Sequence, residues 1–356
     1  MHDAKTGVAA DNLARDPSEF YQEHLDRVSR SFAFCIARLD RPLRDYVGLG
    51  YLLCRMVDTI EDASWQDFHH QEAAFAAFDR FLLSPPSRTE CAEWARTFPP
   101  DIPEGESLLL QDAALIFADF HSLPRAAHEG LLAPIQSMSQ GMRYFMARKA
   151  REGRLSLRDL VDVNRYCFFV AGVVGEMLTK LLQAEGVKVP LVDGFRFGLF
   201  LQKVNLLKDQ SGDEKLGRYL IPSRPLVRFS LEDDARAAFR YLRSVPLKFE
   251  SFRLFCAWSL FLGLASLPWI DRAAAEESRL KIPREETFQL LARIESVISD
   301  ETELESLFKD LSSKAEVPAP ATDGDIRSSE FHHQDFVRLY QGSLTESQIL
   351  DLFSRG

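Results

Sequence analysis

The chain has 356 residues, of which 46% are hydrophobic and 27% charged, with 43 basic and 53 acidic side chains for a formal net charge of -10. That composition supports one large globular core or two smaller ones, and it excludes collagen-like, low-complexity and wholly disordered chains. The acidic balance argues against a general nucleic-acid binder, which needs clustered Lys and Arg to displace counterions. An anionic substrate would need local help from a cation.

Residues 1–17 are polar and mixed in charge, lack the apolar core of a signal peptide, and read as a flexible N-terminus. Helical periodicity then covers roughly 19–38, 42–63, 66–83, 107–121, 125–151, 156–183, 193–213, 231–243, 248–267 and 284–309. Pro and Gly mark the breaks, at Ser84-Pro85-Pro86, 99–105 and 221–225. With no series of alternating strands and no linker among these breaks, the pattern predicts one all-α domain over 18–311. The most apolar run, 254–270, is shorter than the ~20 residues that span a bilayer and contains Pro268, which predicts a buried core helix, a membrane-dipping segment being the alternative.

Residues 312–330 are rich in Ser, Pro, Ala and Asp and read as a flexible linker. A short helical tail, 331–356, follows, in which Thr345 and Gln348 have capping-box spacing before Ile349, Leu350 and Leu352. The tail is equally compatible with docking on the body and with binding a partner. Five cysteines without a CxxC pair read as reduced, buried thiols of a cytosolic protein, and no Cys/His cluster has zinc spacing.

Two polar stripes carry the chemistry. In the segment from Tyr51 to Asp62, the residues Tyr51, Arg55, Asp58 and Asp62 recur at helical spacing, while Leu52, Leu53, Met56, Val57 and Ile60 cover the other faces. In the segment from Gln202 to Asp213, the residues Gln202, Asn205, Asp209 and Asp213 repeat nearly the same spacing after the apolar run 195–201. Either stripe alone is compatible with ordinary ion pairing. Both together, each on a mostly apolar helix, predict buried carboxylates that a cation must join. Mg²⁺ suits them, because it takes oxygen ligands from one or two carboxylates and from substrate phosphates. Arg30, within Ser29-Arg30-Ser31-Phe32 of the first helix, has the chemistry to bind a phosphate. Gly172 and Gly175 interrupt an apolar helix that begins near Tyr166, for which close helix packing is a sufficient reason. Gly48 and Gly50 complete no GxGxxG motif, which argues against a Rossmann domain. The pairs His69-His70 and His332-His333 read as solvated surface.

In order and spacing, Ser29-Arg-Ser-Phe, Tyr51-xxx-Arg55-xx-Asp58-xx-Glu61-Asp62, Tyr166-Cys-xx-Val-Ala-Gly-xx-Gly175 and Phe200-Leu-Gln-Lys-x-Asn205-xxx-Asp209 resemble the squalene/phytoene synthase family, nearest its squalene synthase branch. The resemblance implies the all-α isoprenoid synthase fold. It also implies head-to-head condensation of two farnesyl diphosphates through presqualene diphosphate, then reduction by NADPH to squalene. The alternatives it leaves are a condensing relative without reduction (a presqualene diphosphate, dehydrosqualene or phytoene synthase) and a non-catalytic protein that binds prenyl diphosphate. By the same resemblance Asp58, Asp62, Asp209 and Asp213 hold Mg²⁺, with Glu61 beside them. Ser29, Arg30, Ser31, Phe32 and Arg55 bind diphosphate, and Gln202 and Asn205 position the intermediate. Tyr51 and Tyr166 steer the carbocation or remove its proton. Arg218, Lys208 and Lys281 are offered to the NADPH phosphates. A hydrocarbon product implies peripheral contact between a cytoplasmic protein and a membrane.

Overall fold

Proline, serine and aspartate set most helix boundaries in the computed structural model, which describes residues 16–275 and 281–315, without the side chains of Arg30, Ser31 and Ala275. The chain divides into two compact units, Met1–Ala150 with Lys180–Gly186, and Arg151–Thr179 with Val187–Gly356.

The first unit holds α1 (Pro17–Val28), α2 (Arg30–Ala37), α3 (Leu43–Asp62), α4 (Phe68–Leu83), α5 (Arg88–Arg96), α6 (Glu104–Gln111), α7 (Ala113–His121) and α8 (Arg125–Glu152), the last crossing its boundary. The helix expected over 19–38 is two. Ser29 adopts an extended backbone (φ -154°, ψ 115°), and its hydroxyl accepts from the Phe32 N–H at 3.3 Å, so it caps a new helix rather than continuing the old one. Helix α5 was not expected, although Ser87 and Glu90 form a complete capping box at its start. Asp112 divides the helix expected over 107–121, where its carboxylate meets Nε2 of the buried His24 at 3.1 Å. At the start of α6 a side chain on Gly105 would come within 2.9 Å of the Arg27 carbonyl, so only glycine lets these two helices approach. Phe78, Phe81, Trp94, Phe98 and Phe117 form the aromatic core, with neighbouring rings 5.1–6.5 Å apart in tilted and edge-on pairs.

The second unit holds β1 (Leu155–Ser156), α9 (Leu160–Cys167), a π turn (Phe168–Gly172), most of α10 (Val173–Ala184), α11 (Leu191–Lys215), β2 (Arg218–Tyr219), α12 (Arg224–Ser244), a 3₁₀ turn (Leu247–Phe249), α13 (Glu250–Ala275), α14 (Arg284–Val297) and α15 (Glu301–Lys314). Helix α11 crosses the π turn and α10 backbone against backbone. A Cβ on Gly175 would sit 1.9 Å from the Gly194 carbonyl oxygen, and one on Gly198 would sit 2.1 Å from that of Ala171. The glycines read from the sequence are thus packing glycines. Buried Asp234 on α12 accepts from Lys203 (2.6 Å) and Arg196 (2.9 Å) of α11, which ties these helices on their inner side.

Asp300 caps α15 and splits the helix expected over 284–309. That helix continues through Ser312 and Ser313 to Lys314, past the expected start of the linker; the rest of the linker and the tail lie outside the described residues. The apolar run 254–270 lies within a helix of 26 residues that continues through Pro268, longer than the sequence reading allowed. Among the described residues, two segments are long and apolar enough to cross a membrane, Leu160–Ala184 and Leu247–Ala274, with 61% and 50% of their most apolar windows buried inside the protein. All five cysteines are buried and free.

Candidate active site

From Tyr51 onward, the residues of α3 that solvent reaches are Tyr51, Arg55, Asp58 and Asp62, the stripe the spacing picks out. Leu52, Leu53, Met56, Val57 and Ile60 are fully buried. Burial of those faces sets the rotation of the helix, and the loop after it sets its end. The Ile60 carbonyl accepts from Trp65 Nε1 and Gln71 Nε2, both at 2.8 Å, and Gln71 also reaches the Glu61 carbonyl at 3.1 Å. Carbonyls of a last turn have no partner inside the helix, so these side chains supply one and fix the turn that carries Asp58 and Asp62.

Arg55, Asp58 and Asp62 line a pocket of about 130 Å³ together with Asp101, Pro103 and Glu106. Four carboxylates therefore share this small space with one arginine. Arg55 donates to the Tyr51 hydroxyl at 3.0 Å and stands 3.7 Å from Asp58, while its Nε is buried without a hydrogen-bond partner. Against the pull of burial, Asp58 and Tyr51 hold the guanidinium firmly charged. Asp58 keeps 32% of its side chain exposed, but protein atoms make up much of its surroundings in the pocket. Burial pushes its carboxyl up to about 6; Arg55 opposes this, and the charges of Asp62 and Glu106 add to it. The Phe32 ring packs 5.8 Å from that of Tyr51, which gives the stripe an aromatic wall beside the arginine.

Glu61 departs from the expectation. It is buried at 8% exposure and does not line the pocket, because its position on the helix turns it toward the core. Ser29 stands at the head of α2; the side chains of Arg30 and Ser31 lie outside the described residues. Asp101 and Glu106 were missed, since a Pro-rich break has no period to read. Their signal was a cluster of carboxylates between Pro100 and Ser107.

The second stripe, on α11, differs from the expectation of buried, uncompensated charge. Its Asp209 side chain is 58% exposed and 3.2 Å from Lys208, while that of Asp213 is only 13% exposed. Lys208 also donates to Asn205 Oδ1 at 3.2 Å. Asp213 accepts from Arg218 at 3.1 and 2.9 Å, a two-pronged contact. The backbone makes that contact possible. Gly217 takes a positive φ of 70° just past the helix, and β2 pairs with β1, Leu155 opposite Arg218, which turns Arg218 back toward the helix end. Gln202 is half-buried, Tyr166 is buried at 4% exposure in α9, and Lys281 is exposed. Within either unit, among the described residues, no three His, Cys, Asp or Glu side chains are placed to hold a metal ion by themselves.

Comparison with known proteins agrees with this helical scaffold. The family model described as squalene/phytoene synthase matches residues 25–286. A squalene synthase of Bos taurus is 30% identical over 217 residues, 60% of this chain and 48% of that protein. A squalene synthase of Eremothecium gossypii is 31% identical over 233 residues, again 60% of this chain and 49% of the relative. The chain thus spans about half the length of the curated relatives it matches. The solved structure of TcSQS with the ligand E5700 superposes with a TM-score of 0.71 at 21% identity, covering 92% of this chain and 99% of the other. These matches show the all-α isoprenoid synthase fold. By a family match over most of its length, the chain belongs to the squalene/phytoene synthase family.

Proposed function

We propose that this chain is a prenyltransferase that joins two farnesyl diphosphates head to head and then, using NADPH, reduces the product to squalene. The observation that carries the reading is the pocket of Arg55, Asp58, Asp62, Asp101 and Glu106, in which one guanidinium stands beside four carboxylates. The donor set fits Mg²⁺. Asp58 is held against ionisation by burial and by its acidic neighbours, a penalty that a bound cation relieves. Two to four carboxylate oxygens also suit an ion that keeps waters and substrate phosphates as its other ligands. Bound there through Asp58 and Asp62, Mg²⁺ would draw off diphosphate charge and favour its departure.

The protein's own groups carry the rest. Arg55 presents its guanidinium at the pocket wall to diphosphate oxygens, and by the family resemblance Arg30 would serve the same end. Tyr51 and Phe32 provide π-faces to a developing carbocation. Tyr166 is the second tyrosine of that step. By the family resemblance, Gln202 and Asn205 of the second unit would position the intermediate, and Asp209 and Asp213 would hold magnesium only on release from Lys208 and Arg218. Arg218, Lys208 and Lys281 fit NADPH less well. Asp213 engages Arg218, Asp209 and Asn205 engage Lys208, and Lys281 is exposed, so no step is assigned to them. Those ion pairs favour a second reading, in which the chain condenses prenyl diphosphates without reducing the product.

The test is product analysis by mass spectrometry with farnesyl or geranylgeranyl diphosphate and Mg²⁺, with and without NADPH. Squalene formed only with NADPH supports the first reading. Presqualene diphosphate, dehydrosqualene or phytoene formed regardless of NADPH supports the second, and binding without turnover rejects both. The same reading places the protein in the cytoplasm and at membrane surfaces, which cosedimentation with lipid vesicles would test.

A further inference from the structure

Two carboxylates of the Asp58 pocket come from outside both acidic stripes. Asp101 and Glu106 belong to the segment that leads into α6, Glu106 to the first turn of the helix itself. Helix α6 packs on α1 and α3, and the lack of a side chain on Gly105 lets it approach the Arg27 carbonyl closely. The residue after that glycine is thereby carried to the pocket wall, half-buried, while Glu104 at the start of the same helix is exposed and lies outside the pocket. Acids are favoured in a first helical turn, which is reason enough for Glu104. It does not explain a further acid on the wall that Asp58 and Asp62 share.

Like charges gathered in a half-buried pocket destabilise the fold unless a cation answers them. The charge of Glu106 is felt at Asp58 and at Arg55, yet among the described residues its carboxylate has no hydrogen bond and no close ion pair. Glu61, the remaining acid at the end of α3, is buried and off the pocket. Two acids of that helix therefore reach the pocket, and a third comes to it from α6. Among the described residues, no three carboxylates are placed to hold an ion directly. Mg²⁺ keeps several of its waters, so a carboxylate can help to hold and orient it by accepting hydrogen bonds from those waters.

We propose that Glu106 is a positioning residue of the magnesium site, accepting hydrogen bonds from the waters of an ion bound by Asp58 and Asp62. The inference rests on the reading that those two aspartates bind Mg²⁺. Thermal unfolding of the full-length protein at rising Mg²⁺ concentration tests both, because an ion that binds only the folded chain raises its melting temperature. Glu106→Gln should need at least about tenfold more Mg²⁺ than wild type for the same rise. Glu104→Gln, the same loss of charge on the same helix, should match the wild type, and Asp58→Asn should show no rise. In turnover, Glu106→Gln should raise the Mg²⁺ requirement by a like factor and recover its kcat at saturating Mg²⁺, which a misplaced helix would not do. Melting without metal checks the fold. Should Glu106→Gln fail to fold, Glu106→Asp decides, because it keeps the charge, withdraws the carboxylate by one methylene and should also weaken Mg²⁺ binding. A Glu106→Gln variant that matches wild type, or a Glu104→Gln variant equally weakened, would overturn the proposal while leaving Asp58 and Asp62 as the ligands. A wild type that Mg²⁺ does not stabilise, or an Asp58→Asn variant that it stabilises as well, would overturn the underlying reading and the proposal with it.

Discussion

Replacing Asp58 with Asn is expected to make the metal-free protein more stable while removing its activity. Burial, Asp62 and Glu106 raise the Asp58 carboxyl from 3.8 to about 6, so at neutral pH the folded state carries a charge that the unfolded chain bears more easily. Two pKa units correspond to ~3 kcal/mol, and partial exposure of the side chain reduces the realistic gain to about 1–2 kcal/mol. The sign follows from the direction of the shift. Below the unfolded pKa the carboxyl is neutral in both states and costs nothing; the cost appears as pH rises and is fully present above about 6. Urea denaturation without Mg²⁺ should therefore show Asp58→Asn nearly equal to wild type near pH 4 and more stable at pH 8. Added Mg²⁺ should narrow the difference by stabilising the wild type alone. An Asn variant that is no more stable at pH 8 than at pH 4, relative to wild type, or that keeps its turnover, would refute the reasoning.

Proton competition for the same carboxyl should weaken Mg²⁺ binding as pH falls below about 6, a trend that titration calorimetry can follow and that Asp58→Asn should flatten. Gln71→Leu leaves the Glu61 carbonyl without its side-chain donor and the Ile60 carbonyl with Trp65 alone, and should cost about 1–3 kcal/mol of stability. It should also lower kcat by loosening the turn that holds Asp58 and Asp62; an unchanged rate would mean that the turn needs no anchor. Gly175→Ala should cost at least ~3 kcal/mol or prevent folding, because its methyl group would overlap the Gly194 carbonyl, and a soluble variant of wild-type stability would contradict the crossing described for α10 and α11.

The acidic stripe of α3 was legible because four polar residues interrupt an otherwise apolar helix at a 3.6-residue period, and burial of the remaining faces leaves them one orientation. The stripe of α11 has equivalent spacing, but Asp209 is exposed and Asp213 is paired with Arg218. What separates the two is what surrounds each carboxylate, which spacing alone does not carry. Helix breaks at Ser29, Asp112 and Asp300 were hidden for a related reason. Each is a capping or pairing residue inside a continuous apolar period, and periodicity persists across a break of one to three residues. The capping box at Ser87 and Glu90 is readable from spacing, but the polar helix that it starts shows little apolar period. Asp101 and Glu106 reach the Asp58 pocket only through tertiary folding of the segment before α6, and Gln71 and Trp65 matter through bonds to backbone carbonyls, which have no sequence identity. Arg218 shows the same limit, since its contact with Asp213 depends on the positive φ of Gly217 and the pairing of β1 with β2.

The most direct test of the central claim uses an equal mixture of deuterium-labelled and unlabelled farnesyl diphosphate with Mg²⁺ and the wild-type protein, with Asp58→Asn as control. Condensation of two substrate molecules should give a joined product in unlabelled, singly labelled and doubly labelled forms together, and the control should give none. Farnesol and diphosphate as the only products, or the same joined product from Asp58→Asn, would contradict the account.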